Sequence, residues 1–172
     1  QYSIQTGGIS AYYTNLSDNQ IPQMNGATVS VPLFNLVYLG VNTTSGPLSD
    51  PTIRQIISAA IDRASFCEEI FYSAATEAEG PIPSCFRQVE GLQTISPDKN
   101  TDWVVAQLNE LGYNNRDSEG YLTREGARLS IRLLYNSEQP VRSTAAAYLA
   151  SELKAVGIEV SLVGMTYAEY TR

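Results

Sequence analysis

Most enzyme chemistry needs a few versatile side chains, and this sequence lacks one of them entirely: its 172 residues include no histidine. That removes the Ser-His-Asp and Cys-His nucleophile arrangements, the commonest zinc ligand and a group that titrates near neutral pH. The only cysteines, Cys67 and Cys85, are too few for a thiolate metal cluster. Paired carboxylates can drive hydrolysis without histidine. No acidic pair here is placed together beside a cleft, however, so a hydrolase built on acidic residues ranks low. The run Asn115-Arg116-Asp117-Ser118-Glu119-Gly120 opens like a calcium loop. Its twelfth position is Gly126, Glu125 falls one residue short, and amphipathic helices do not flank it, so it reads as a polar turn. Neither a phosphate-binding glycine loop nor a nucleophile elbow is present. The sequence therefore assigns no catalytic residue, no metal site and no cofactor.

Binding chemistry remains, and its best candidate is a loop between two regular elements. Leu129, Ile131, Leu133 and Tyr135 alternate with Ser130, Arg132 and Leu134, which predicts a strand over 129–135. A helix follows over about 140–156, with Val141, Ala145, Tyr148, Leu149, Leu153 and Val156 inward. Gly157 stops it, Ile158 stands where an apolar contact follows the cap, and Ile158, Val160 and Leu162 form another strand. Such a strand–helix–strand unit makes its strands parallel and its crossover right-handed. Ligands approach these units at the carboxyl ends of the strands. Here that edge is Asn136-Ser137-Glu138-Gln139. The other reading of the loop, a solvated connection with Ser137 or Glu138 capping the helix, stays open.

The rest of the chain supplies the scaffold. Short strands are predicted at 9–13 and 28–31, with a turn at Asn25-Gly26 and a break at Pro32. Residues 34–42 read as an apolar, central strand. Asp50-Pro51 is a helix start, a capping acceptor followed by proline. Ile53, Ile56, Ile57, Ala60, Ile61 and Ala64 then recur at helical spacing, and Cys67 and Phe71 continue the stripe. Residues 76–97 carry proline and glycine without a period and read as a long surface loop. A helix over 102–111 buries Val104, Val105, Leu108 and Leu111 and ends at Gly112, and 123–126 reads as a hairpin tip. The fold class is mixed α/β.

Composition bounds the partners. The chain has a mass of 18.8 kDa, 43% hydrophobic residues and a net charge of -7. That suits one domain with a sizeable core, and its acidity repels a phosphate backbone, so nucleic acid is not an expected partner. No apolar run approaches the ~18–20 residues that span a bilayer. Eleven tyrosines suit a binding surface, though they are ordinary strand residues too. The chain opens at Gln1 without an initiator Met or a signal peptide, and closes just after a new element opens at Thr166-Tyr167-Ala168-Glu169-Tyr170. It reads as one domain, 1–172, excised from a longer protein.

Several segments carry a family resemblance. Asn42-Thr43-Thr44-Ser45-Gly46-Pro47-Leu48-Ser49-Asp50, running into Arg54-Gln55-Ile56-Ile57-Ser58-Ala59-Ala60-Ile61-Asp62-Arg63, resembles the N-x-x-x-G-P-F-x-D and R-x-A-[IL]-x-x-A-[IL]-D-R pattern of the peptide-type extracellular solute-binding proteins of ABC importers. Gly80-Pro81-Ile82-Pro83 follows at the family's distance. The helix end at 108–113, Leu133-Leu134-Tyr135-Asn136, and Leu153-Lys154-Ala155-Val156-Gly157-Ile158-Glu159-Val160 resemble later family segments in the right order. Tyr167 and Tyr170 stand at a W-x-x-Y position. Ile56, where the family has alanine, and Tyr167, in place of tryptophan, depart from the pattern.

The resemblance implies most of the second lobe of a two-lobed, periplasmic-binding-protein-like fold, a monomer that has no reaction to catalyse. Such a protein closes on a peptide or other small solute, docks on a membrane permease and sits at the outer face of a bacterial membrane, lipid-anchored. Peptide, nickel-complex, sugar and opine binders share these motifs, and a peptide-sensing receptor without transport is the alternative. The family's acidic anchor for a peptide amino group would lie beyond Arg172. Asn136 is implied as a group that hydrogen-bonds ligand backbone, with Tyr135, Ser137 and Glu138 beside it. Asn42 and Thr43 are second candidates, with a cap or turn role as the other reading. Arg54, Asp62 and Arg63 read as fold determinants. Cys67 and Cys85 are read as a disulfide that the compartment allows, contributing about 3 kcal/mol on the chain-entropy account. The alternative is a buried free thiol at Cys67.

Overall fold

The structure is a computed structural model, and it describes residues 35–78, 80–82 and 98–171 together with positions 8, 11, 27, 29 and 31. Among the described residues, regular structure begins with a 3-10 turn, Pro47–Ser49, whose entry at Gly46 (φ 72°) needs a residue without a Cβ. Helix α1, Pro51–Ala60, follows as the Asp50-Pro51 pair predicts: the Asp50 carboxylate accepts the Thr52 N–H at 2.8 Å, and proline takes the first turn. Its stripe is the centre of the core, with Ile56 and Ala60 wholly buried. Arg54 braces the turn before it by donating to the carbonyls of Leu48 and Ser49.

The predicted stripe does not run on as one helix. The chain is extended at Ile61 and Asp62, and a second helix, α2 (Arg63–Phe71), starts there. Asp62 causes the break. Its carboxylate caps α2 by accepting the Ser65 N–H, while its own N–H donates to Glu152 and its carbonyl accepts the Tyr148 hydroxyl. The bond to Glu152 diverts the Asp62 N–H from α1, while the same carbonyl also accepts the Phe66 N–H and so opens α2. The Ser65 N–H also holds the Asp62 carboxyl below its ordinary value, against the opposing effect of burial. Arg63 reaches back to Ser58. Both charged residues thus act in the fold, as expected.

A second correction concerns 34–42. Residues 35–43 form no strand, and Val37 and Tyr38 are 53% and 76% exposed. A strand exists only through hydrogen bonds to a neighbour, and no strand among the described residues lies beside this segment. The expected strands at 9–13 and 28–31 rest mostly, and the turn at Asn25-Gly26 and Pro32 wholly, on positions outside the described residues, as does most of the loop at 76–97.

Helix α3, Thr101–Glu110, is capped by Asn100 and turns Val104 and Leu108 into the core. Three short antiparallel strands follow, β1 (Asn115–Arg116), β2 (Leu122–Arg124) and β3 (Ala127–Arg128). Glu125 and Gly126 join the last two with positive φ at both positions, the tight hairpin that 123–126 predicts. The polar run before β2 is a turn, with Asp117 accepting the N–H groups of Glu119 and Tyr121. Then comes the strand–helix–strand unit: β4 (Ser130–Asn136), α4 (Pro140–Ala155) and β5 (Glu159–Met165), the strands parallel and in register from Ser130↔Glu159 to Asn136↔Met165. Leu149, Leu153, Val156 and Ile158 join the α1 residues in one core. A last short helix, α5 (Tyr167–Tyr170), carries a Thr166–Glu169 capping box. No helix among the described residues is long and apolar enough to cross a membrane.

One guanidinium fastens the two sheets. Arg128 pairs with Asp117, Glu119 and Glu159, and its head also lies 4.6 Å from the centre of the Tyr121 ring. Desolvation pushes the Asp117 carboxyl up, but the N–H groups of Glu119 and Tyr121 and the Arg128 charge outweigh it and hold it below the usual range. Hydrogen bonds from Arg128 and then Ser130 lower Glu159 as well. A carboxylate with a depressed folded pKa stabilises the fold above its unfolded value of about 4 and loses that contribution as pH falls through the folded value. Arg128→Met is therefore expected to lower the urea midpoint at pH 7, where three acids lose their cation, and to narrow the gap to wild type at pH 3. Equal loss at both pH values would show that packing of Arg128, not its charge, matters.

Candidate functional site

The edge singled out by topology is real: Asn136 closes β4 at its carboxyl end, beside Met165 of β5. The local sequence builds this edge by making room. Tyr135 stands next to Gly164 across the sheet, and a Cβ there would meet Ser137 Cβ at 3.1 Å and the Tyr135 hydroxyl at 3.2 Å. Glycine at 164 lets the Tyr135 ring and Ser137 close over β5.

Hydrogen bonds tie this edge together more than the sequence suggests. The Asn136 side chain is buried, 5% exposed, and its Oδ1 accepts the Glu138 N–H at 3.0 Å. Ser137 donates both its N–H (2.8 Å) and its hydroxyl (3.1 Å) to the Met165 carbonyl. Glu138 Oε2 accepts the Tyr167 N–H at 2.9 Å. Ser137 and Glu138 do not cap α4, whose preceding residue Gln139 makes no side-chain cap. They point the other way, to the chain that leaves β5. The Nδ2 of Asn136 has no partner among the described residues. Among the described residues this asparagine thus retains its donor, while its oxygen already accepts one hydrogen bond. Two exposed rings, Tyr167 and Tyr170, follow on α5.

The second candidates do not join this group. Asn42 Oδ1 accepts both the N–H and the hydroxyl of Thr44, so the side chain serves a local turn. Thr43 is exposed. No hydrogen bond links either residue to 135–138. A surface hollow of about 310 Å³ lies elsewhere, lined in part by Asp50, Tyr113, Arg124 and Leu129. Leu129 precedes β4, so the hollow sits at the opposite end of that strand from Asn136, roughly 20 Å away at strand rise. Arg124 is already engaged there, donating to the Leu111 carbonyl and stacking on Tyr113.

Cys67 is a half-buried free thiol, its pKa raised by burial and then by the charge of Glu77. Cys85, its expected partner, lies outside the described residues. No group of three His, Cys, Asp or Glu side chains among the described residues could hold a metal ion. Sequence reasoning missed the tie from the loop to Met165 and Tyr167. The Thr166-x-x-Glu169 capping box signals where α5 starts, and nothing in the sequence signals that Glu138 reaches it.

Comparison with known proteins bears on family and fold. The sequence matches the family described as bacterial extracellular solute-binding proteins, family 5 Middle, over residues 2–172. It is 24% identical to the oligopeptide-binding protein AppA of Bacillus subtilis over 91% of this chain and 30% of that protein. It is also 24% identical to the oligopeptide-binding protein OppA of Lactococcus lactis subsp. cremoris, over 99% of this chain and 30% of that one. The chain thus spans under a third of the length of these relatives. Among solved structures, AppA of Bacillus subtilis in complex with a nonapeptide superposes with a TM-score of 0.65 at 22% identity, over 72% of this chain and 25% of that one. NikA of Brucella suis in complex with Fe(III)-EDTA gives the same TM-score and identity over 75% and 26%. These likenesses establish the fold as periplasmic-binding-protein-like. With the match running from one end of the sequence to the other, this chain belongs to the bacterial extracellular solute-binding proteins of family 5.

Proposed function

We propose that this chain is one lobe of a substrate-binding component of an ABC importer, which holds a peptide between two lobes and presents it to a membrane permease at the outer face of the cell. The end-to-end family match carries the reading. The two oligopeptide-binding relatives support peptide as the ligand class. On this reading the protein binds and releases its cargo unchanged, residues 1–172 form most of the second lobe, the chain by itself is monomeric, and a lipid anchor holds the complete protein at the membrane.

Asn136 is the ligand-contacting residue of this lobe, with Tyr135, Ser137 and Glu138 as its surround. Its Nδ2, unpartnered among the described residues, fits a peptide carbonyl, a group that every peptide offers whatever its side chains. Closure of a second lobe excludes water and strengthens such a bond. This edge by itself is one wall, which sets the test. Calorimetry with mixed short peptides should detect binding by the complete protein and little or none by this chain. Micromolar binding by the chain alone would overturn the two-lobe reading.

A further inference from the structure

Two segments leave the carboxyl ends of β4 and β5, and three hydrogen bonds tie the first to the end of β5 and the chain beyond it. Two come from Ser137 to the Met165 carbonyl, and the third runs from the Tyr167 N–H to Glu138 Oε2. The third differs in kind. It is charge-assisted, it satisfies an N–H that the first turn of α5 cannot satisfy itself, and it spans 29 positions of sequence. The same residue, Glu138, donates its own N–H to Asn136 Oδ1 and so fixes which face of the Asn136 amide is left over. One glutamate therefore holds the candidate contact on its backbone side and the departing chain on its carboxylate side. Thr166 and Glu169 cap α5 reciprocally, so the helix arrives at Glu138 already formed.

We propose that Glu138 is a positioning residue: its carboxylate locks the loop after β4 onto the start of α5, so that Asn136 and the segment 166–170 move as one body when ligand arrives. The proposal rests on the reading that Asn136 meets the ligand. Its consequence is that contact at Asn136 is felt in the chain leaving the lobe, with the Glu138 carboxylate as the side-chain link to Tyr167.

Two measurements test it. Hydrogen exchange on the full chain needs no ligand. Glu138→Ala should speed exchange in both 137–139 and 166–170 by about tenfold, and Glu138→Gln, which keeps the acceptor, should restore most of the protection. Faster exchange in 166–170 alone, or in neither segment, overturns the coupling. Affinity of the complete protein for a mixture of tri- to pentapeptides is the second readout. Glu138→Ala should weaken binding about tenfold and Glu138→Gln by less than about threefold, each with an unchanged thermal midpoint. Asn136→Asp is the companion variant. If it abolishes binding while Glu138→Ala does not, the proposal fails and the reading of Asn136 stands. If both variants bind as wild type does, the proposal falls together with that reading.

Discussion

Asn136→Asp is expected to weaken peptide binding by the complete protein by about a hundredfold, corresponding to about 3 kcal/mol, while leaving the lobe folded. The choice of aspartate follows from how the side chain is used. Asn136 Oδ1 accepts the Glu138 N–H at 3.0 Å, and aspartate keeps an oxygen in that place. The other branch changes from a donor to an acceptor. A ligand carbonyl that met Nδ2 would then face a carboxylate oxygen, and attraction becomes repulsion in a site that closure makes dry. Asn136→Ala is a poorer probe because it also strands the Glu138 N–H, so lost affinity would mix with a loosened loop. The measurement pairs peptide calorimetry with a thermal melt for each variant. Wild-type affinity in Asn136→Asp with an unchanged melt would remove Asn136 from the site.

The candidate site was half legible in the sequence. Alternation over 129–135, a helix ended by Gly157 and an apolar strand beyond it announce the parallel unit, because strand period, helix period and glycine stops are local properties of the chain. They locate Asn136 correctly at a carboxyl edge. Left unannounced was that half of its amide is already bonded, a fact that depends on the path of the next two residues. The tie from Glu138 to Tyr167 and the reach of Arg128 to Asp117, Glu119 and Glu159 are longer-range still. Nothing in composition or spacing marks which distant acid a given cation meets.

The two misplaced elements fail for opposite reasons. At 35–42 the residues have the right propensity and no partner among the described residues, and propensity without a ladder makes no strand. At Ile61–Asp62 the apolar period continues unbroken from Ile53 toward Phe71, so the pattern hides the break. The capping chemistry of Asp62, visible as an acid three residues before Ser65, is the local signal that outranks the period. A break there lets α2 turn across to α4, where Phe66 packs edge-on against Tyr148 at 5.5 Å.

The largest loss of stability is expected from Gly157→Ala: about 3 kcal/mol, or roughly 10 °C in thermal midpoint for a chain this size. Gly157 ends α4 with φ 92°, its N–H bonded to the Lys154 carbonyl and the Ile158 N–H to the Leu153 carbonyl. Its own carbonyl accepts the Leu122 N–H at 2.7 Å, so helix end and β2 touch through backbone. An added Cβ would stand 2.7 Å from Leu122 Cγ and 3.1 Å from Arg116 Nη1. Leu122 is 4% exposed in the core and has nowhere to retreat. Two costs therefore add, the strain of a left-handed backbone and a collision with a packed side chain. Gly126 separates them. It has φ 82° and open space where a Cβ would go, so Gly126→Ala carries the backbone strain alone, about 1 kcal/mol. Comparing the melts of both variants checks the argument. Equal destabilisation would mean that the contact with Leu122 relaxes freely and that the seam between α4 and the small sheet is looser than its hydrogen bonds imply.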